Sequence, residues 1–329
     1  MAGLALEALL LVLGMGLLIF GGRALVSGAS RLAATLGVSE VAIGLTVVAF
    51  GTSAPELAVN TLAALRGNSD IAFGNVIGSN IANVGLVLGA CAVTRVLVVE
   101  SVIVSREIPM MLLATAGTIV MGLDRIHGAP ADGFDRADGL LLLLLFSIFL
   151  YYSVAEVVSK RRADPVAAGA AAQAGGGETS RGGSAVLLAL CGLALLMVGA
   201  QVTVTNAVSI AESLGVPSVV IGLTLVSLGT SLPELATSLV ATSQGRTSLA
   251  VGNVVGSNVF NLLFILGTTA TIRSVEVPSP HGAGDLGALA AFSAVLLVAS
   301  RTGGASLGRW HGVGLIAAYG GYVVWRFAG

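Results

Sequence analysis

Residues 37–89 can be laid on residues 215–267 at a constant offset of 178, without a gap, and 27 of the 53 positions are identical. The agreement gathers on two short stretches. Gly51-Thr52-Ser53-Ala54-Pro55-Glu56 returns as Gly229-Thr230-Ser231-Leu232-Pro233-Glu234. Gly74-Asn75-Val76-Ile77-Gly78-Ser79-Asn80 returns as Gly252-Asn253-Val254-Val255-Gly256-Ser257-Asn258, and Asn83 pairs with Asn261 in the same register. Self-similarity of this kind means a fold assembled from two copies of one unit. A duplication kept for packing alone would retain apolar positions, whereas here the polar ones are retained.

The unit is a membrane unit. Apolar runs near the ~20-residue thickness of a bilayer recur along the chain. Ten can be marked, at 3–27, 36–65, 70–93, 102–122, 138–158, 184–210, 216–244, 248–271, 284–300 and 308–327. Only 10% of the residues are charged, against about 25% in a soluble domain, so the chain lacks the charge to cover a surface in water. The net charge of −1 excludes a polybasic field for nucleic acid. The first run has no basic segment before it and carries Glu7, so a membrane helix is expected there rather than a cleaved leader.

The longest hydrophilic gap, 159–183, opens with Lys160, Arg161 and Arg162 and continues through an Ala/Gly/Gln/Ser tract that cannot bury a core. It divides the runs into five and five. An odd number of crossings turns the second copy over. The expected fold is therefore an all-α membrane protein with ten transmembrane helices as two inverted five-helix repeats. Residues 1–158 form the first repeat, 159–183 a flexible cytoplasmic loop, and 184–329 the second. Inverted repeats place a substrate site near the bilayer midplane, at broken helices. With both termini outside, 11 of the 16 Lys and Arg residues fall on the inner side and 5 on the outer. The positive-inside rule favours that orientation.

Of the 17 acidic residues, 15 lie in loops or near run ends, Glu107 and Asp285 among them. Glu56 and Glu234 lie mid-run, at equivalent repeat positions. A carboxylate at that depth costs at least ~2.5–3.5 kcal/mol on insertion scales, and no Lys or Arg lies mid-run to offset it. Such a pair must be protonated or bind cations. Pro55 and Pro233 break their helices, because proline lacks an N–H and its ring clashes with the carbonyl four residues back. That frees carbonyls around Gly51, Thr52, Gly229 and Thr230, tolerated in a membrane only inside protein or lining a site. The hydroxyls of Thr52, Ser53, Thr230 and Ser231 stand beside them, and Ser79, Asn83, Ser257 and Asn261 add oxygens from the following runs. Each of these polar residues alone could equally bond one helix to another. Together with two glutamates they make a set of hard oxygens without sulfur or imidazole, which suits Ca²⁺ and its 6–8 oxygen ligands. Two carboxylates balance one divalent charge.

The remaining features are quieter. The Gly74–Gly78 and Gly252–Gly256 spacings suit close helix packing, and Asn75 and Asn253 inside them are open to either role. Cys91 and Cys191 read as packing residues, without a disulfide or metal pattern. His127, His281 and His311 are scattered near loops. No Ser/His/Asp set, histidine metal cluster or P-loop lysine is present, so neither an enzyme nor a cofactor is expected. A passive pore would need a continuous polar stripe, which the apolar first and sixth runs do not offer.

On the two Gly-Thr-Ser-x-Pro-Glu and two Gly-Asn-Val-x-Gly-Ser-Asn segments, the chain resembles the cation/Ca²⁺ antiporter superfamily, and within it the prokaryotic sodium/calcium exchangers. The resemblance implies secondary active antiport of Ca²⁺ against Na⁺ by alternating access, in a bacterial or archaeal plasma membrane, with H⁺ as the alternative coupling ion. It implies membrane lipid as surroundings and no obligate protein partner. Glu56 and Glu234 would bind both Ca²⁺ and the exchanged ion, and the Thr52 and Thr230 carbonyls would join the Ca²⁺ site. Hydroxyls of Ser53, Thr230, Ser231, Ser79 and Ser257, with the backbone oxygens of Ala49 and Ser227, would form flanking monovalent sites. The first and sixth runs would slide over this core, and their glycines (Gly14, Gly16, Gly21, Gly22, Gly192, Gly199) suit a smooth contact, although packing alone would explain them too. One departure stands out. Where such exchangers commonly carry Asp, this chain has Asn261, so the pocket has a formal charge of −2 rather than −3. Ca²⁺ binding should survive that change; the number of sodium ions need not.

Overall fold

The computed structural model describes residues 2–128, 131–163, 178–215, 227–302 and 304–328. It is helical almost throughout. Helix α1 spans Ala2–Leu36. A bent pair follows, α2 at Glu40–Thr52 and α3 at Ala54–Arg66, meeting at 45°. Then come α4 (Ser69–Thr94), α5 (Ile103–Gly122), α6 (Arg136–Ala163) and α7 (Glu178–Ser213). The second half continues with α8 (Ser227–Thr230), α9 (Leu232–Ser243), α10 (Thr247–Ile272), α11 (Gly282–Thr302) and α12 (Arg309–Ala328).

Among the described residues seven helices are long and apolar enough to cross a membrane, and the bent pair makes eight. The protein is a multi-pass membrane protein. Of the other two expected spans, 216–244 lies in part outside the described residues, and α12 has the length for a crossing but a more polar sequence, with Arg309, His311 and Arg326. Helices α6 and α7 also run further than expected, to Ala163 and from Glu178, into the segment expected as a loop.

Burial sorts the helices by their surroundings. α4 and α10 are enclosed on almost all sides, while α1 and α6 expose most of their apolar surface. Leu9, Val12 and Phe20 on α1 and Leu140, Leu144 and Tyr151 on α6 face outward, as expected where hydrocarbon is the solvent. Two short antiparallel ladders tie the halves together. Leu97 pairs with Leu307 and Val98 with Ser306; Gly133 pairs with Glu276 and Phe134 with Val275.

The glycines of α1 and α7 bring these two helices into close contact. The two helices lie antiparallel, and an added Cβ on Gly21 would sit 2.8 Å from Leu196 N, one on Gly28 2.6 Å from Ala189 N. Gly14 meets Thr203 and Gly199, and Gly192 meets Gly21 and Leu25. These glycines let the backbones of α1 and α7 meet. The close approach gains dispersion contact that larger side chains would prevent. Gly22 alone of the six faces the core, against Ala236 and Val240 of α9, and Gly16 meets nothing within 4 Å.

Three further expectations change. Cys91 is buried, but Cys191 is exposed on the outer face of α7 and packs no core. Glu107 and Asp285 lie near helix ends yet are 1% and 5% exposed, because neighbouring helices cover them sideways. Each has an arginine: Glu107 pairs with Arg106, and Asp285 pairs with Arg326 at 3.3 Å and accepts from the Tyr322 hydroxyl at 3.0 Å. A buried carboxylate with its own guanidinium is a closed unit, which sets this pair apart from Glu56 and Glu234.

Candidate ion-binding site

The site begins at the two helix breaks. Between α2 and α3 Ser53 adopts φ −84°, ψ 7°, and between α8 and α9 Ser231 adopts φ −86°, ψ 2°. In each case proline follows two residues later, inside the first turn of the new helix. Its missing N–H withdraws the bond that would have tied Gly51 or Gly229 into a continuous helix. α3 and α9 therefore start inside the protein, each with a glutamate in its first turn.

The fold brings the two breaks face to face. Ser53 Oγ donates to Glu234 Oε1 at 3.1 Å, and the Thr52 hydroxyl stands beside the same carboxylate. The Thr230 hydroxyl stands beside Glu56, and Glu56 lies within the Coulombic reach of Glu234. Both glutamates are 1% exposed. Among the described residues neither has a Lys or Arg partner. α4 and α10 close the site from behind. Thr52 Oγ1 donates to Asn253 Oδ1 at 3.3 Å, and Thr230 Oγ1 to Asn75 Oδ1 at 3.1 Å. Asn83 Nδ2 donates to Asn258 Oδ1 at 3.0 Å, and Asn258 Nδ2 to the Asn80 carbonyl at 3.3 Å. Asn83 and Phe260 open π-helical segments, Asn83–Leu88 and Phe260–Ile265, so the backbone widens where the site's asparagines sit.

Most of the expected residues lie inside the protein. Ala49, Thr52, Ser53, Glu56, Ser79, Asn83, Ser231, Glu234, Ser257 and Asn261 are all buried, and Thr230 is partly so. Ser227 opens α8, and its side chain lies outside the described residues. Seven buried oxygens of this group have no hydrogen-bond partner among the described residues: Glu56 Oε2, Glu234 Oε2, Ser79 Oγ, Ser231 Oγ, Ser257 Oγ, Asn83 Oδ1 and Asn261 Oδ1. Orphaned buried oxygens cost about 1–3 kcal/mol each, and a cation is the partner that would satisfy such a set at once. Other buried polar atoms without a partner among the described residues include Thr118 Oγ1 and Thr203 Oγ1. No group of three or more His, Cys, Asp and Glu occurs among the described residues, so the site's donors are two carboxylates and neutral oxygens.

The halves differ in detail. Asn261 has neither amide atom partnered, whereas Asn83 donates. Asn253 also donates to Ser238 Oγ at 3.1 Å, while Asn60, at the position equivalent to Ser238, turns back to the Glu56 carbonyl at 2.9 Å. In the sequence Asn75 and Asn253 are open to either role, and nothing marks Ser238 or Asn60. The signal for the first two was present in their exact repetition beside the GxxxG glycines. Gly252 and Gly256 do pack closely, on Val41 and Leu45 of α2.

Comparison with known proteins agrees with this geometry. The sequence model of the sodium/calcium exchanger protein family matches residues 6–155 and 184–328. The sodium/calcium exchanger MaX1 of Methanosarcina acetivorans is 36% identical over 343 residues, spanning 97% of this chain and 98% of that protein. The inner membrane protein YrbG of Escherichia coli is 34% identical over 325 residues, spanning 97% and 95%. Among solved structures, that of the sodium-calcium exchanger NCX_Mj soaked with Na⁺ and Ca²⁺ is similar at a TM-score of 0.80 and 31% identity, covering 95% of this chain and 96% of that one. With nearly its whole length matched in two blocks, the chain belongs to the sodium/calcium exchanger protein family.

Proposed function

We propose that this protein is a secondary active antiporter that exchanges Ca²⁺ for Na⁺ by alternating access, with Glu56 and Glu234 as the central ion ligands. The observation that carries the reading is the pair itself: two buried carboxylates, brought together from the two halves and lacking a basic partner among the described residues. Thr52, Thr230, Ser53, Ser231, Ser79, Ser257, Asn83 and Asn261, with the backbone oxygens of Ala49 and Ser227, complete the ligand set. One Ca²⁺ neutralises the −2 pocket, and so do two monovalent ions. Exchange follows because the empty charged pocket is costly to carry through a low-dielectric barrier.

The architecture belongs to the same proposal. Ten transmembrane helices form two inverted five-helix repeats, 1–158 and 184–329, joined by the cytoplasmic loop 159–183, with both termini outside. The exchange of partners between halves supports it: the Thr–Asn bonds and the strand ladders each occur twice, with the halves swapped. The family match in two blocks, on either side of 156–183, supports it as well.

The test is Ca²⁺ uptake by the purified protein in sealed vesicles. An outward Na⁺ gradient should drive uptake, and a pH gradient alone should not. Uptake driven by pH and indifferent to Na⁺ would make the protein an H⁺/Ca²⁺ exchanger working through the same two glutamates.

A further inference from the structure

The Thr52–Asn253 and Thr230–Asn75 bonds map onto each other when the offset of 178 is applied to donor and acceptor. Each donor is the last residue of the short helix before a break, and each acceptor lies on the enclosed helix of the opposite half. A threonine hydroxyl with a fixed partner sets its χ1, and with it the rotation of the last helical residue. Pro55 has already withdrawn a main-chain bond from this segment. The side-chain bond replaces that lost restraint.

On one side the restraint extends further. Asn253 is fully buried, and its amide nitrogen donates to Ser238 Oγ at 3.1 Å. Ser238 lies one turn beyond Glu234 on α9. Thr52, Asn253 and Ser238 thus form a relay from the break of the first motif to the helix that carries the carboxylate of the second. On the other side the relay stops early. Asn75 Nδ2 has no partner among the described residues, and Asn60 bonds within its own helix.

We propose that Asn253, and more weakly Asn75, are positioning residues of the ion site. Asn253 touches no ion; it holds Thr52 in the rotation that keeps the first break's oxygens beside Glu234. The proposal rests on the ion-site reading above.

Ca²⁺ uptake by the full chain in vesicles tests it, with KM and kcat determined separately. Asn253→Leu removes both bonds at similar volume. It should raise the Ca²⁺ KM about fivefold, the worth of one neutral hydrogen bond, and leave kcat within about twofold. Asn253→Gln keeps an amide oxygen for Thr52 and an amide nitrogen for Ser238 without adding charge, so KM should return toward that of the unchanged protein. Asn75→Leu should shift KM less than Asn253→Leu. Thr52→Val combined with Asn253→Leu should raise KM no further than the larger single change, because both delete the same bond. An unaltered KM in Asn253→Leu, a fall in kcat and melting temperature with KM unmoved, or full additivity in the double variant would overturn the proposal. Should Asn253→Leu fail to fold, Ser238→Ala cuts the relay at its far end, and an unaltered KM there overturns it equally. Glu56→Gln, run alongside, separates the two levels. If it still transports Ca²⁺, the ion-site reading fails; if it is inactive while Asn253→Leu keeps its KM, only the positioning role fails.

Discussion

Ser53 donates to Glu234 at 3.1 Å across 181 residues of chain, yet the equivalent bond from Ser231 to Glu56 is not made, and Ser231 Oγ has no partner among the described residues. Two glutamates alike in sequence are therefore unlike in surroundings. A hydrogen bond to a carboxylate contributes about 1.5–3 kcal/mol. In ion-free detergent solution Ser53→Ala should lower stability by roughly that amount, while Ser231→Ala stays within about 0.5 kcal/mol, the range of a change that removes no contact. Adding Na⁺ should reverse the order: the thermal shift produced by Na⁺ should shrink more in Ser231→Ala, whose hydroxyl is free to take an ion. Equal melting temperatures for the two ion-free variants would contradict the asymmetry.

Replacing either glutamate by glutamine keeps shape and removes charge. Without ions, Glu56→Gln and Glu234→Gln should be about as stable as the unchanged protein, because a glutamate at this depth that binds no cation is protonated, and a neutral acid and a neutral amide cost alike. Ca²⁺ transport should fall by on the order of 100-fold or more, the scale of losing a desolvated charge–charge contact. The thermal shift on adding Ca²⁺ should disappear with it. Vesicle uptake and thermal unfolding read the two effects independently, and a glutamine variant that transports normally would remove the basis of the proposed site.

The site was largely legible in the sequence because its components are costly elsewhere. Mid-membrane glutamate, proline after a Thr-Ser pair and a repeated asparagine each conflict with a plain apolar helix, so their joint recurrence at one offset carried the inference. What stayed hidden depends on rotation and lateral cover, which span counting ignores. Glu107 and Asp285 fall near helix ends in the sequence, and only the packed neighbours bury them. Cys191 sits in an apolar run, but a run does not say which of its faces meets lipid. Gly14, Gly21 and Gly28 recur every seven residues, as do Gly192 and Gly199. That spacing places each set on a single helix face, and it was a readable sign that α1 and α7 pack on each other.

The glycine seam makes its own prediction. Gly21→Val places a side chain into the backbone of α7 near Leu196. Overpacking of this kind costs about 1–3 kcal/mol, and the loss should appear as a lower melting temperature in detergent. Gly16→Ala meets nothing within 4 Å, so it should leave stability unchanged or raise it by about 0.5–1 kcal/mol through helix propensity. If Gly21→Val unfolded normally and only transported slowly, the glycine would belong to a sliding contact after all.

Asn261 offers the sharpest test of what sets the coupling. Neither of its amide atoms has a partner among the described residues, although the side chain is 1% exposed. Asn261→Asp changes the pocket from −2 to −3 without adding bulk. An added carboxylate strengthens cation binding only when ionised, and burial beside two like charges favours its protonated form. At low pH the variant should therefore resemble the unchanged protein. As pH rises and the new group ionises, the Ca²⁺ KM should fall, and the Na⁺ dependence should steepen, because one more cation is needed to neutralise the pocket. Uptake measured between about pH 5 and pH 9, the interval in which a carboxylate so raised would titrate, resolves the difference. Parallel KM profiles for the two proteins would show that position 261 does not face the ions, and the ligand set would have to be redrawn without it.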